Sequence, residues 1–325
     1  MPCVFVTGIT GQDGGYLAEL LLGQGAEVHG LVHDGDGAVA ALQERLPAVR
    51  LHTGDLADHQ ALTGLVNELE PDEVYNLAGI SSVAFSWQEP VLTAELSGVA
   101  PAVLMKAAWE LQERTGRRIA CVQASSAEIF GDADRAPQDE LTPVRPVSPY
   151  GAAKAYAHQM AQVYRARGLH VASCILFNHE SPRRPTTFVT RKITAAAAQI
   201  GKDGGGTMRL GNLEARRDWG WAPDYVDAMV RAARHATASD YVIATGQTHT
   251  VADFAEAALR RAGLGDEWAR HVEVDPDLFR PLDAGVLVGD ASKARDELGW
   301  SPTVSFEEVV GRMVDHDVAL LRAAS

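Results

Sequence analysis

Short apolar runs at residues 4–6, 27–32, 50–52, 73–77, 119–124 and 171–177 alternate with longer stretches in which apolar residues recur at helical spacing. Runs of that length bounded by polar residues predict strands buried on both faces, and the intervening stretches predict the helices that cover them. Helices are expected over 14–22, 58–69, 93–114, 149–167, 189–200, 224–235, 251–262 and 306–321. The alternation is that of an α/β protein built on a doubly wound parallel sheet. Residues 241–244 could add a strand to that sheet after an excursion, and the remaining C-terminal part alternates less regularly, as expected of a smaller lobe. Gly204-Gly205-Gly206 reads as a flexible turn.

Length and composition sharpen this picture. A chain of 325 residues, 46% hydrophobic, can bury a large core and divides into two unequal lobes. No apolar run is expected to reach the length that crosses a bilayer, and the N-terminus enters a strand without a basic, cleavable leader, so a cytoplasmic protein with no membrane partner is expected. Cys3, Cys121 and Cys174 are odd in number and lie in or beside apolar runs. They suit buried reduced thiols better than a disulfide framework or a metal site, and no metal is expected. A formal charge of −14 argues against a nucleic-acid partner. Residues 183–217 depart from that balance, with eight Lys or Arg against Asp203 and Glu214. Such a segment either receives a phosphorylated small molecule or neutralises acids elsewhere.

Three motifs carry chemistry. Thr7-Gly8-Ile9-Thr10-Gly11-Gln12-Asp13-Gly14 follows a predicted strand and opens a predicted helix. Glycines there let backbone amides approach a pyrophosphate at a helix N-terminus, although a tight turn without a ligand has the same spacing. At the end of the next strand, His33, Asp34 and Asp36 stand where an adenosine ribose would lie. A carboxylate there accepts from a 2′-hydroxyl and repels a 2′-phosphate, which favours NAD over NADP; a solvated acidic loop is the competing reading. Tyr150 and Lys154, four apart, share a helix face, with Ser148 as N-cap and Pro149 at the first helical position. An ammonium under the phenol and a nicotinamide cation nearby would both favour phenolate, so the tyrosine could take a proton from an alcohol. Gln123-Ala124-Ser125-Ser126-Ala127-Glu128, after another strand, adds a hydroxyl and a second proton-transfer group, or a serine cap and an exposed glutamate.

These residues resemble the extended short-chain dehydrogenase/reductase family and, within it, the GDP-mannose 4,6-dehydratase family. The resemblance spans nearly the whole chain. Its more specific segments are Leu176-Phe177-Asn178-His179-Glu180-Ser181-Pro182-Arg183-Arg184, Phe188-Val189-Thr190-Arg191-Lys192-Ile193, Leu210-Gly211-Asn212-Leu213, Arg216-Arg217-Asp218-Trp219-Gly220 and Asp224-Tyr225-Val226. It implies a Rossmann-type doubly wound sheet, residues 1–178 and 222–249, with a smaller α/β substrate-binding lobe, residues 179–221 and 250–325. It implies a catalytic group of Ser126, Glu128, Tyr150 and Lys154. NAD or NADP, tightly held and regenerated, would lie on Gly8, Thr10, Gly11, Gln12, Asp13, Gly14, Asp34, Asp55, Leu56, Leu77 and Ala78, beside Tyr150 and Lys154. A nucleotide-diphosphate sugar would be held by Ser86, Asn178, Val189, Lys192, Arg217, Arg280 and Asp283.

The chemistry so implied begins with Tyr150 taking the C4 hydroxyl proton as hydride leaves C4. Glu128 then removes the acidified C5 proton, water departs from C6 with Ser126 assisting, and hydride returns to C6. The product is a 4-keto-6-deoxy sugar nucleotide, most simply from GDP-mannose.

The sequence also departs from the family pattern. Ser126 replaces a threonine, Ile80 and Ser82 replace the glutamine and histidine of A-Q-S-H-V, and Phe279-Arg280-Pro281-Leu282-Asp283 replaces Y-R-P-T-E. His33-Asp34 replaces an arginine pair that serves NADP binding and tetramer formation, so a homodimer or a tetramer both stay open. A 4-epimerase, a 4-reductase or a dehydratase of other regiochemistry shares the first steps. A non-catalytic dinucleotide sensor shares the fold without needing the catalytic group.

Overall fold

The computed structural model describes residues 1–279 and 286–323. Seven strands form one parallel sheet: β1 Cys3–Thr7, β2 Glu27–Val32, β3 Arg50–Thr53, β4 Glu73–Asn76, β5 Ala120–Ser126, β6 His170–Leu176 and, after short strands described below, β11 Asp240–Ile243. Their order is β11-β6-β5-β4-β1-β2-β3. The chain therefore starts in the middle and winds outward in both directions, leaving a crevice beyond the C-terminal ends of β1 and β4, where Thr7 lies opposite Asn76.

Alternation of side chains explains why the strands read as continuous apolar runs. Val4 and Val6 point into one apolar cluster and Phe5 into the other, and all three are fully buried. Each contributes about 1.5–3 kcal/mol of transfer free energy. The first face is covered by α1 Gln12–Gly23 and α9 Ala222–Arg234, with α11 Ser292–Leu298 against α9. The second is covered by α3 His59–Leu69, α6 Ala100–Thr115 and α7 Pro149–Ala166. Asp58 starts α3 by accepting the Ala61 amide on its carboxylate at 2.9 Å.

A separate apolar cluster unites α8 Val189–Asp203, α10 Val251–Arg261 and α12 Phe306–Ala323 around Ile193, Trp219, Phe254 and Met313. Short strand pairs complete this part. β7 Asn178–Glu180 pairs with β10 Trp219–Trp221, β8 Met208–Leu210 with β13 Val272–Val274, and β9 Arg216–Arg217 with β12 His249–Thr250.

The seven predicted strands occur within a residue or two of their expected limits. Three helices of six or seven residues were not anticipated: α2 Val39–Arg45, α4 Val83–Gln88 and α11. They are too short for a repeat of apolar positions to declare itself. The helix expected over 93–114 begins earlier, at α5 Pro90–Ala94, and passes through a π-helical turn, Glu95–Val99, before α6. In that turn the Ser97 hydroxyl donates to Ile80 O at 3.2 Å, and Gly98 packs against the backbone of Ala153 in α7. The same continuous stretch, Pro90–Thr115, corrects one expectation: its 26 residues are long and apolar enough to cross a bilayer. Half of its most apolar window is buried inside the fold, because that face packs on α3 and α7.

Candidate active site

The site lies where β5 and α7 meet the crevice. β5 ends at Ser126, whose extended backbone (φ −148°, ψ 148°) leads into a 3₁₀ turn, Ala127–Ile129, and whose hydroxyl accepts the Glu128 amide at 3.2 Å. α7 starts as its sequence predicts, with the Ser148 hydroxyl accepting the Gly151 amide at 3.0 Å and Pro149 in the first turn. The two elements touch at Gly151, where a Cβ would lie 2.6 Å from the Glu128 carbonyl oxygen. That closeness brings Glu128 beside Tyr150, where its charge opposes ionisation of the phenol, while Ser126 hydrogen-bonds it.

The electrostatics differ from the simple expectation of a lysine-activated phenolate. Lys154 Nζ lies 5.9 Å from the centre of the Tyr150 ring and donates to Ala124 O at 3.0 Å. Burial pushes the Tyr150 phenol up to about 12, against the lowering effects of the Ser126 hydrogen bond and the Arg184 cation. Burial also pulls Lys154 down to about 8, with the Asp13 carboxylate acting in the opposite sense. Among the chain's own groups, desolvation outweighs the charges that favour phenolate.

Beneath Lys154 runs a row of buried polar side chains that sequence reasoning missed. Thr7 Oγ1 donates to Asn76 Oδ1 at 2.7 Å, Asn76 Nδ2 to Gln123 Oε1 at 2.8 Å, and Gln123 Nε2 to Ala124 O at 2.9 Å. Ala124 O thus receives both Gln123 and the lysine. The readable signal was a polar residue near the end of each of three adjacent apolar strands.

The glycine-rich turn is closed tightly: a Cβ on Gly14 would lie 2.2 Å from Gly8 O. Gly11 precedes α1 and offers no side chain to cap it, so the helix start is a cradle of backbone amides that fits the pyrophosphate of a dinucleotide. Thr10 Oγ1 donates to Asp36 Oδ2 at 2.7 Å, which makes Asp36, rather than the exposed Asp34 and His33, the acid fastened to this turn. Asp55 is exposed and accepts the Ala57 amide, Leu56, Leu77 and Ala78 are half-buried, and Ala78 N donates to Thr7 Oγ1 at 3.3 Å. Gln12 and Asp13 face away from solvent toward the residues after β6: Gln12 Nε2 donates to His179 O at 3.0 Å, Ser181 Oγ donates to Gln12 Oε1 at 2.8 Å, and Asp13 pairs with His179 at 2.9 Å. His179 and Arg184 were quoted only as parts of a motif; their place beside Asp13 and Tyr150 depends on contacts distant in sequence.

The expected substrate residues are dispersed over several elements. Ser86, expected to face the sugar, is fully buried; its hydroxyl donates to Val83 O at 2.7 Å and accepts the Tyr150 amide at 3.2 Å. Asn178 opens β7, Val189 opens α8, Lys192 is exposed one turn on, and Arg217 is buried in the ladder with β12. Arg280 and Asp283 lie outside the described residues. Four arginines of the basic segment are taken up by acids: Arg183 by Glu19, Arg184 by Glu180, Arg191 by Asp317 and Arg209 by Asp275. For these four, charge neutralisation within the fold is the reading the contacts favour.

The sequence matches the family model described as GDP-mannose 4,6 dehydratase over residues 5–313. It is 44% identical over 327 residues to GDP-mannose 4,6 dehydratase 1 of Arabidopsis thaliana, which covers 98% of this chain and 90% of that protein. Among solved structures, the UDP-glucose 4-epimerase of Thermotoga maritima with UDP-glucose superposes with a TM-score of 0.87 at 23% identity, covering 98% of this chain and 99% of that one. The UDP-glucose 4-epimerase of Thermus thermophilus in complex with NAD gives 0.84 at 27% identity, covering 97% and 98%.

Proposed function

The chain belongs to the GDP-mannose 4,6-dehydratase family, and from that premise we propose that it converts GDP-mannose to GDP-4-keto-6-deoxy-mannose as an NAD(P)-dependent hydro-lyase. The observation that carries this reading is the convergence of Ser126, Glu128 and Tyr150 at the contact of β5 with α7. Oxidation alone requires a tyrosine and its lysine; a carboxylate held beside them supplies the second proton transfer that elimination needs.

Held at the glycine-rich turn before α1, an oxidised dinucleotide would supply a reversible hydride acceptor and a positive charge that favours the phenolate. Tyr150 takes the proton of the C4 hydroxyl, with Ser126 holding the phenol by a hydrogen bond. Glu128 takes the C5 proton once C4 is a ketone and, with Ser126 alongside, gives a proton to the C6 hydroxyl, which leaves as water; the proton held on Tyr150 then goes to C5 as hydride reaches C6. Lys154, fixed by Ala124 O, holds its ammonium at the base of the site.

NAD is the preferred cofactor in this reading. The support is Asp36, whose carboxylate is tied to the turn by Thr10 and would repel a 2′-phosphate. The substrate lobe is assigned to residues 179–221 and 250–325, supported by the apolar cluster separate from those on the sheet, with Asn178, Val189, Lys192 and Arg217 on its nucleotide side. A second copy of the chain is the partner, docking on the exposed apolar side chains Val91, Val99, Tyr156 and Val163 of α5, the π turn and α7. The cytoplasm is the proposed location, in line with three free cysteines.

The test is to incubate the protein with NAD and GDP-mannose labelled with deuterium at C5. A product lighter by one water that has exchanged its C5 label is expected; intact substrate at high enzyme concentration, or an isomer that keeps the label, would overturn the assignment.

A further inference from the structure

Asp13 and His179 face each other across the boundary between the dinucleotide-binding turn and the start of the substrate segment. His179 Nδ1 lies 2.7 Å from Phe177 O, and Nε2 lies 2.9 Å from Asp13 Oδ2. A neutral imidazole carries one N–H, yet a carbonyl and an ionised carboxylate both require a donor. With Asp13 ionised, both contacts are hydrogen bonds only when the ring is an imidazolium. The ring is buried and stacks on Tyr225 with centroids 4.5 Å apart, so it cannot turn away to release either bond.

The position of Asp13 makes its partner necessary. It stands in the first turn of α1, the place a dinucleotide pyrophosphate occupies, and a bare carboxylate there would repel that anion. The surrounding groups do not all favour the pair. Arg184 favours the ionised carboxylate and opposes the imidazolium. Tyr225 from α9 lies over the ring, with Glu180 of β7 and Asp218 and Asp224 around the phenol, and Lys154 and Tyr150 of α7 both feel the Asp13 charge. Gln12 binds His179 O and Ser181 Oγ alongside. Thus two consecutive residues of the glycine-rich turn hold His179 and Ser181, where the second lobe begins.

We propose that Asp13 and His179 are a positioning pair for the reaction, a carboxylate–imidazolium bridge that clamps the dinucleotide-binding turn onto the strand from which the substrate segment starts. This rests on the dehydratase reading for its purpose. Burial disfavours both charges, but mutual attraction and the shared hydrogen bond prevail, leaving His179 above and Asp13 below their ordinary ranges. The bridge is therefore complete in mildly acidic solution, between the ordinary ranges of the two groups. It is lost as pH falls through the native Asp13 value, and again as pH rises through the native His179 value.

Nitrogen-15 NMR of the 325-residue chain should show both His179 ring nitrogens protonated at pH 6, with Asp13→Asn moving the titration downward; a neutral ring at pH 6 overturns the proposal. NAD dissociation constants for His179→Gln, Asp13→Asn and the double variant form the second arm, measured well below each unfolding midpoint. His179→Gln should weaken NAD about tenfold or more, because it leaves an unpaired carboxylate at the pyrophosphate turn, and the double variant should recover most of that loss. Losses that simply multiply would overturn the pairing. If His179→Gln does not fold, a folded double variant with near-native NAD affinity supports the pair, and one that binds NAD as poorly as Asp13→Asn, or worse, opposes it. A protein that shows the protonated ring and the NAD cycle but leaves GDP-mannose intact refutes the activity and retains the clamp.

Discussion

At the scale of single residues, burial and charge compete at Tyr150 and Lys154, and burial sets the resting state. Lys154 is pulled from 10.5 to about 8 by desolvation. Between those values the unfolded chain holds a proton that the native lysine has lost, so this residue makes stability rise with pH across that window and lowers stability at neutrality. Lys154→Met should raise the unfolding midpoint at pH 7 and remove turnover. In urea titrations at pH 8 and pH 10, the wild type should gain on the variant, and parallel behaviour would refute the shift. Tyr150→Phe removes the proton acceptor with little change of shape, and turnover should fall by about a thousandfold while NAD binding persists. That Tyr150 and Lys154 share one helix face was legible from spacing, whereas their roles came from the resemblance. The role of Ser86 as a prop for the Tyr150 amide was not, because its two partners lie on different elements.

Elements decide how well those residues are held. α7 is anchored by its cap, and Ser148→Ala should cost about 1 kcal/mol in denaturant unfolding. Gly151→Ala has a different outcome. Its Cβ would press on the Glu128 carbonyl oxygen at 2.6 Å, so the 3₁₀ turn must retreat. The elimination step should suffer more than NAD affinity does, and a C5-deuterium exchange assay beside NAD titration separates the two. Element types and order followed from apolar runs and caps, since local signals suffice where one element spans several turns or a whole buried strand. Short elements and the π turn were hidden for the opposite reason: Ser97 and Gly98 are shaped by Ile80 and Ala153, not by their neighbours in sequence.

For the whole molecule, the proposed dimer depends on the exposed apolar side chains of α5, the π turn and α7. Val163→Asp with Tyr156→Asp should convert a dimer into a monomer in light scattering, because two charges would be buried at the proposed contact without partners. Both side chains are exposed in the single chain, so the far-ultraviolet circular dichroism should be unchanged. A dimer that survives both substitutions places the interface elsewhere.

Sequence by itself determined the doubly wound sheet, the glycine-rich turn and the Tyr150–Lys154 helix, because periodicity, capping residues and four-residue spacing are local codes for local geometry. Tertiary structure alone decided which charges meet. Asp13 and His179 lie 166 positions apart, and Arg183, Arg191 and Arg209, which read as part of a basic segment, find acids in distant elements. Electrostatic partnership depends on distance and desolvation in space, and a linear order of residues encodes neither until the sheet has wound both lobes into contact.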